Sequence, residues 1–253
     1  MAMLKSEKRL GFGDFLTMGA RSLFVRNFSL PVIGLGLVAG YAVDIAVGDT
    51  IDQLAAGGAD RVGAILSAAG ISIIASLVVG LYGLVYAVMA SSSKTAPTVQ
   101  QAFSKVGDRW VSILGAGILS LLLTLGVLFL GLLLVGGGAA ALGEGPGAGL
   151  LLIFVFAYVY LQLRLGQAAW FAADGENAVD ALKVSWKRTE GHLWRIFGWS
   201  VGGGVIFGII GGVLGLVFAF LPVGMATGIS TGIGLCLGYG SGVVLYRRIT
   251  SKT

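Results

Sequence analysis

The sequence predicts an all-α, polytopic membrane bundle, and three observations carry that prediction. Of 253 residues, 56% are hydrophobic and only 11% charged, against roughly 45–50% and about 25% in soluble domains. Mean hydropathy is +0.92, and uncharged runs of about 20 residues, enough to cross a hydrocarbon core of about 30 Å, recur along the chain. These runs are continuous rather than short and alternating, which disfavours a closed β-barrel.

Six transmembrane helices follow, at residues 28–47, 62–89, 110–137, 148–172, 196–221 and 224–246. The second and third exceed the length needed, and tilt or continuation past the interface accommodates the excess. Pro31 lies just inside the first turn of the first span, where a missing N–H costs little. Ahead of it, Lys5, Lys8 and Arg9 precede "LGFGDFLTMGARSLF". Asp14 and Arg21 interrupt what would be the apolar core of a signal peptide there, so no cleavage is expected. Cys236, in the sixth span, is the sole cysteine, which leaves no intramolecular disulfide and no Cys-based metal site.

Basic residues set the orientation. Lys5, Lys8, Arg9, Arg21, Arg26, Lys94, Lys105, Arg109, Lys183, Lys187, Arg188, Arg195, Arg247, Arg248 and Lys252 all fall on the side of the two termini. Arg61 alone falls in an opposite-side loop, with the acidic Asp44, Asp49, Asp52, Asp60 and Glu144. Lys and Arg concentrate in cytoplasmic segments, so both termini are expected to be cytoplasmic in a multi-pass protein of the cell membrane. The net charge of +5 therefore marks membrane topology and anionic headgroups rather than nucleic acid, for which no recognition motif is present.

Three segments share a design of amphipathic helix followed by a pair of spans: "GFGDFLTMGARSLFVRNFSL" (11–30), "TVQQAFSKVGDRWVSIL" (98–114) and "NAVDALKVSWKRTEGHLWRIF" (177–197). In the first, Phe12, Phe15, Leu16, Gly19 and Leu23 follow helical spacing. In the third, Val179, Leu182 and Trp186 form the apolar side of a helix over 177–190. Thr98 and Asn177 are N-cap candidates. Gly107 and Gly191 suit helix C-termini, and each is followed three residues later by Trp110 or Trp194, interfacial anchors at the start of the next span. The expectation is a single membrane domain, 1–253, with three cytoplasmic interfacial helices in repeat units at about 11–90, 97–172 and 177–250.

Glycines supply the helix contacts. Gly204, Gly208 and Gly212 lie four apart in the fifth span. Gly224, Gly228, Gly232, Gly234, Gly238 and Gly242 form similar rows in the sixth. Small residues let backbones approach within lipid, so tight packing of the fifth span on the sixth is expected, with Gly36 and Gly40 making a lesser contact in the first.

Candidate chemistry is sparse. "GEGPGAG" (143–149) has phosphate-loop composition without the Lys-Ser/Thr ending, and reads as a flexible turn. His192 is the sole histidine, and no catalytic, cofactor-binding or metal residue is assigned. Arg164 is the most informative polar residue, since an intramembrane arginine must pair, snorkel or line a pathway. Tyr160, Arg164 and Gln167 share a face by helical spacing. Arg164 suits a structural partner, such as carbonyls at the end of an interfacial helix, or a ligand.

From Arg164 through Phe197, with Ala181-Leu182, Ser185-Trp186, Thr189, Gly191 and Trp194-Arg195 at its core, the chain resembles a prokaryotic membrane domain. That domain is attached to some glycerophosphoryl diester phosphodiesterases and also occurs in stand-alone six-span proteins. The resemblance implies a module that holds or presents lipids, without the soluble catalytic domain of those enzymes. The expected function is non-enzymatic. Lys183, Lys187, Arg188 and Arg195, with Tyr160, Arg164 and Gln167, would contact anionic lipid headgroups, a protein partner or a second copy of the chain. The alternative is a small-solute permease or channel with Arg164 in its pathway.

Overall fold

In a bilayer every backbone N–H and C=O must find a partner within the protein, and continuous apolar segments meet that demand as helices. The computed structural model describes residues 10–56, 61–93, 95–142 and 144–251. Lys5, Lys8, Arg9, Asp60, Lys94 and Lys252, used above to orient the chain, lie outside them, as does Gly143. In order, the helices are α1 (Phe12–Ser22), α2 (Arg26–Ala56), α3 (Arg61–Ser92), α4 (Val99–Leu142), α5 (Glu144–Leu165), α6 (Ala168–Asp174), α7 (Ala178–Arg188), α8 (Leu193–Val217) and α9 (Val223–Thr250). No strand occurs among the described residues.

Among the described residues, five helical segments are long and apolar enough to cross a membrane: Ile73–Ser92, Val99–Val135, Gly149–Asp174, Leu193–Val217 and Val223–Thr250. A sixth is counted if Phe12–Ser22 and Arg26–Tyr41, which meet at 69°, form one broken span. The protein is thus an all-helical membrane protein with five to six membrane-length helices.

Several boundaries differ from those read off the sequence. No separate helix occupies 98–107. Thr98 does cap a helix, exchanging hydrogen bonds with Gln101 (Gln101 N–H to Thr98 Oγ1 3.2 Å, Thr98 N–H to Gln101 Oε1 2.9 Å), but α4 then runs through Gly107 unbroken. An internal glycine costs a helix only about 1 kcal/mol relative to alanine, too little to end a helix of 44 residues. Trp110 accordingly lies well inside α4 rather than at its start. "GEGPGAG" is not an open turn either, because the chain is helical from Glu144 onward. Pro146 falls in the first turn of α5, where its missing N–H has no intrahelical partner to lose.

The chain divides into two compact units. The first comprises residues 1–107 and 199–248, the second 108–198 and 249–253. In the first, Val32, Tyr82, Tyr86 and Cys236 are buried with Phe28 and Val79 between α2, α3 and α9. Phe28 stacks on Tyr86 at 5.1 Å and Tyr82 meets Phe103 at 4.7 Å between ring centroids. Pro31 lies deeper in α2 than expected, since the helix already starts at Arg26. Its missing N–H leaves the Asn27 carbonyl without its helical donor, and the Tyr82 hydroxyl donates to that carbonyl instead.

Helix α1 docks on α9 and α8 through Phe15, Met18, Gly19 and Ser22, a face rotated from the expected one. Ser22 Oγ is 2.6 Å from the Cys236 carbonyl. Phe15 packs against Trp199 and Phe207. The docked side of α1 combines two large apolar residues, Phe15 and Met18, with the small Gly19 and Ser22, which permit the close approach to α9.

The second unit carries the main departure in the fourth span, which is broken at Gly166-Gln167 into α5 and α6. Helix α6 ends at Gly175, whose φ of 136° only glycine adopts freely. Asn177 then caps α7, its Oδ1 accepting the Asp180 N–H at 2.9 Å. Gly191, φ 74°, turns the chain into α8.

Candidate functional site

The break at Gly166 places Arg164 at the end of a helix, where two sets of orphan carbonyls meet. The last four C=O groups of any α-helix lack intrahelical donors. Trp186 belongs to the last turn of α7, and its carbonyl accepts Arg164 Nη1 at 2.8 Å. Arg164 belongs to the last turn of α5, and its own carbonyl accepts the Ser185 hydroxyl at 2.6 Å. Each helix end is therefore capped by a side chain from the other. Placing a guanidinium at the α7 C-terminus also complements the negative end of that helix.

The cation is enclosed on its remaining sides. Arg164 Nε donates to the Tyr160 hydroxyl at 3.1 Å. The guanidinium carbon sits 5.2 Å from the Tyr160 ring centre and 5.1 Å from that of Trp186, within range of attraction to both aromatic faces. The two rings meet edge to face at 5.8 Å. Arg164 is only 8% exposed, so this is a desolvated cation satisfied by carbonyl, hydroxyl and π-faces rather than by a carboxylate.

Helix α7 docks through Ala181, Ser185 and Thr189, all fully buried and spaced four apart. The Thr189 hydroxyl donates to the Ser185 carbonyl at 2.8 Å and approaches that of Trp186 at 3.2 Å. The sequence puts Val179, Leu182 and Trp186 on the apolar side of this helix and leaves open whether it lies flat or docks. In the structure Val179 and Trp186 are exposed, because the short Ala-Ser-Thr row is what lets α7 approach α5 and α6. A small residue at every fourth position was the signal available in the sequence for this face.

The other expected site residues fall in three groups. Gln167 does not join Tyr160 and Arg164, because the helix ends before it. It stands at the start of α6 with its buried Oε1 unpartnered among the described residues. Lys183 is engaged with Asp180 at 3.1 Å. Lys187, Arg188 and Arg195 are exposed and make no ion pair among the described residues, beside exposed Trp186 and Trp194, the latter 86% exposed at the second position of α8. Trp110 is exposed as well. The sole histidine, His192, has its Nδ1 3.0 Å from the Glu190 carbonyl.

The glycines are used differently from the expectation. An added Cβ on Gly204, Gly208, Gly212 or Gly238 would meet nothing within 4 Å. The close approach is instead between α2 and α9. A Cβ on Gly36 would lie 2.5 Å from the Gly228 carbonyl oxygen, and one on Gly232 would lie 2.9 Å from Ile33 Cα. Gly40 and Gly224 oppose each other in the same way. Spacing within one helix shows that a backbone can be approached; it does not say by which helix. Reasoning from sequence also missed Asp44, whose carboxylate accepts the N–H groups of Gly224 (2.6 Å) and Met225 (2.8 Å) at the first turn of α9.

The family model "Domain of unknown function (DUF7847)" matches residues 23–237. The chain belongs to that family. The DUF7847 match takes in the whole Arg164 junction and both glycine-lined faces of α2 and α9 up to Leu237, and it begins just after α1. No curated protein and no solved structure matches the chain.

Proposed function

We propose that the protein is a non-enzymatic membrane module that engages anionic lipid headgroups through the outer face of α7 and the start of α8. The observation that carries this reading is the set of exposed cations Lys187, Arg188 and Arg195 beside exposed Trp186 and Trp194. Unpaired Lys and Arg at a membrane surface attract acidic lipid at about 1 kcal/mol each, and Trp favours the headgroup level. The inner face of α7 is taken up in docking, which leaves the cationic face outward. In this reading α7 lies at the cytoplasmic surface with both termini on that side, as the distribution of Lys and Arg favours. The resemblance of 164–197 to the phosphodiesterase-linked membrane domains supports the same reading, since its core residues Ala181, Ser185 and Thr189 are those that hold α7 in place.

A threefold repeat of helix plus hairpin is supported by the capped starts at Thr98 and Asn177, with the second copy fused into α4. A pathway lined by Arg164 has less support, because its guanidinium is already engaged by the Trp186 carbonyl, the Tyr160 hydroxyl and two rings.

The test is lipid analysis of the full-length chain extracted in polymer-bounded discs from bilayers of phosphatidylglycerol and phosphatidylcholine. Enrichment of phosphatidylglycerol is expected. Replacing Lys187, Arg188 and Arg195 by alanine should reduce it by up to roughly two orders of magnitude at about 1 kcal/mol per charge. Equal lipid composition around the native and triple-variant proteins would refute the reading.

A further inference from the structure

A second feature, unrelated to the cationic face, lies in the first unit. A cavity of about 310 Å³ runs between α2, α3 and α9. Its floor is the glycine seam where α2 and α9 touch, and Ala75 and Val79 of α3 form one wall. It extends along α2 from Val32 to Asp44, about 18 Å at a rise of 1.5 Å per residue. Its volume is in the range of small-molecule sites, but its shape is a channel along the helices. Ser76, Thr227 and Thr231 on its border are exposed, so the cavity opens sideways from the bundle rather than being sealed within it.

The chemistry of this groove is graded along its length. The end at Val32, Val79 and Leu235 is apolar. The other end carries the Asp44 carboxylate. Asp44 lies about 27 Å along α2 from Arg26, close to the thickness of a hydrocarbon core, which places it at interface depth. Each of its oxygens accepts one backbone N–H from α9. A carboxylate has about four lone-pair sites, so it retains acceptor capacity toward the groove. An apolar trough ending in an anion at the headgroup level is complementary to an amphiphile with a cationic, hydrogen-bond-donating head, and it repels a head that is only anionic.

We propose that the groove between α2, α3 and α9 is a lipid site that takes one acyl chain of a bilayer lipid along the glycine seam and holds its ammonium headgroup at Asp44. The seam itself makes this possible. Glycine at positions 36, 40, 228 and 232 removes the side chains that would otherwise fill the trough, and the α9 N-terminus fixes the carboxylate at its mouth. This site differs from the α7 surface in unit and in sign of charge, and its lipid preference is correspondingly different.

The experiment is photolabelling of the full-length protein in detergent micelles with phosphatidylethanolamine and phosphatidylglycerol probes carrying a diazirine on the acyl chain, followed by peptide mapping. The ethanolamine probe is expected to label 73–79 and 227–235 roughly fivefold more than the glycerol probe, as one added ion pair at an interface provides. Exposed Leu121, Leu122 and Leu125 of α4 serve as the measure of ordinary surrounding lipid and should show no such preference. Ala75→Trp, which adds bulk to the wall of the groove and leaves the Asp44 carboxylate in the sequence, should abolish the labelling of the groove while leaving that of α4. Asp44→Asn should bring the headgroup preference to about one. The proposal is overturned if the groove labels no more than α4, if both headgroups label it equally in the native protein, if Ala75→Trp leaves the labelling unchanged, or if a folded Asp44→Asn protein keeps the preference. Should Asp44→Asn fail to fold, the native headgroup ratio and Ala75→Trp decide the matter.

Discussion

Two junctions in this protein bring helices together by opposite means. Between α2 and α9 the side chains are removed, so that Gly36 and Gly40 face Gly224, Gly228 and Gly232 backbone to backbone. Between α5 and α7 the side chains perform the joining: Arg164 and Ser185 each cap a carbonyl of the other helix, and Tyr160 and Trp186 enclose the cation. The first junction depends on volume and tolerates no added atom; the second depends on donors and tolerates no lost one. A third region, the glycine row of α8, shows the first pattern in sequence and neither junction in space, since a Cβ added at Gly204, Gly208 or Gly212 would meet no other part of the described residues within 4 Å.

That contrast can be broken at its most sensitive point by Gly228→Leu, whose new side chain would collide with the Gly36 carbonyl and Gly40 Cα. Overpacking of a formed interface costs about 1–3 kcal/mol. A clash with backbone belongs at or above the upper end, so the expected outcome is a large fall in the thermal midpoint in detergent or failure to obtain monodisperse protein.

The α5–α7 junction should respond to loss rather than gain. Arg164→Ala removes a charged donor from two acceptors, with an expected cost of about 2–3 kcal/mol. Arg164→Lys should recover only part of it, because an ammonium lacks the planar fork that reaches Tyr160 and Trp186 together. Equal stability of the Lys variant and the native protein would show that charge alone holds the junction. Ser185→Ala, which deletes one hydroxyl donor, should cost about 1 kcal/mol, read as faster amide exchange over 178–190.

Gly208→Leu sharpens the comparison from the other side. It should change stability by no more than about 0.5 kcal/mol, because a Cβ added at Gly208 meets nothing within 4 Å among the described residues. A loss comparable to that of Gly228→Leu would place a partner on α8.

The smallest effect concerns the start of α7. The hydrogen bond from Lys183, then that from Asn177, holds the Asp180 carboxyl below the ordinary carboxylate range. A carboxylate depressed in the folded state stabilises above its unfolded pKa, and that contribution is lost as pH falls through the folded value. Amide exchange at the α7 N-terminus should therefore be constant from neutral pH down to the usual carboxylate range and quicken only below it, after correction for intrinsic rates. Asp180→Asn should remove that pH dependence.

The long helices, the capped starts at Thr98 and Asn177 and the need of Arg164 for a partner were legible because each rests on local rules: apolar run length, side-chain reach to a neighbouring N–H, and the cost of a charge in an apolar segment. The break after Leu165 was not. It depends on Ser185, twenty-one residues away, taking the Arg164 carbonyl, and no local feature other than Gly166 marks it. The docked side of α7 was not legible for a related reason. Hydrophobic periodicity picks out Val179, Leu182 and Trp186 as an apolar side, but in a membrane protein such a side can face outward while a row of small residues docks, and Val179 and Trp186 are exposed. Hydropathy therefore loses its power to say which face is inner, and residue size takes over.

The sequence by itself determined that the chain is helical, membrane-embedded, and endowed with many small residues and few charges, because these follow from transfer of apolar side chains and the pairing demand of the backbone in lipid. Only the tertiary structure decided which glycines meet, that Asp44 crosses from α2 to cap α9, and that Arg164 donates to the Trp186 carbonyl while Ser185 donates to that of Arg164. Those are pairings between segments as far apart in sequence as Gly36 and Gly228, and their energy depends on separations of a few ångströms that no spacing within a single helix encodes.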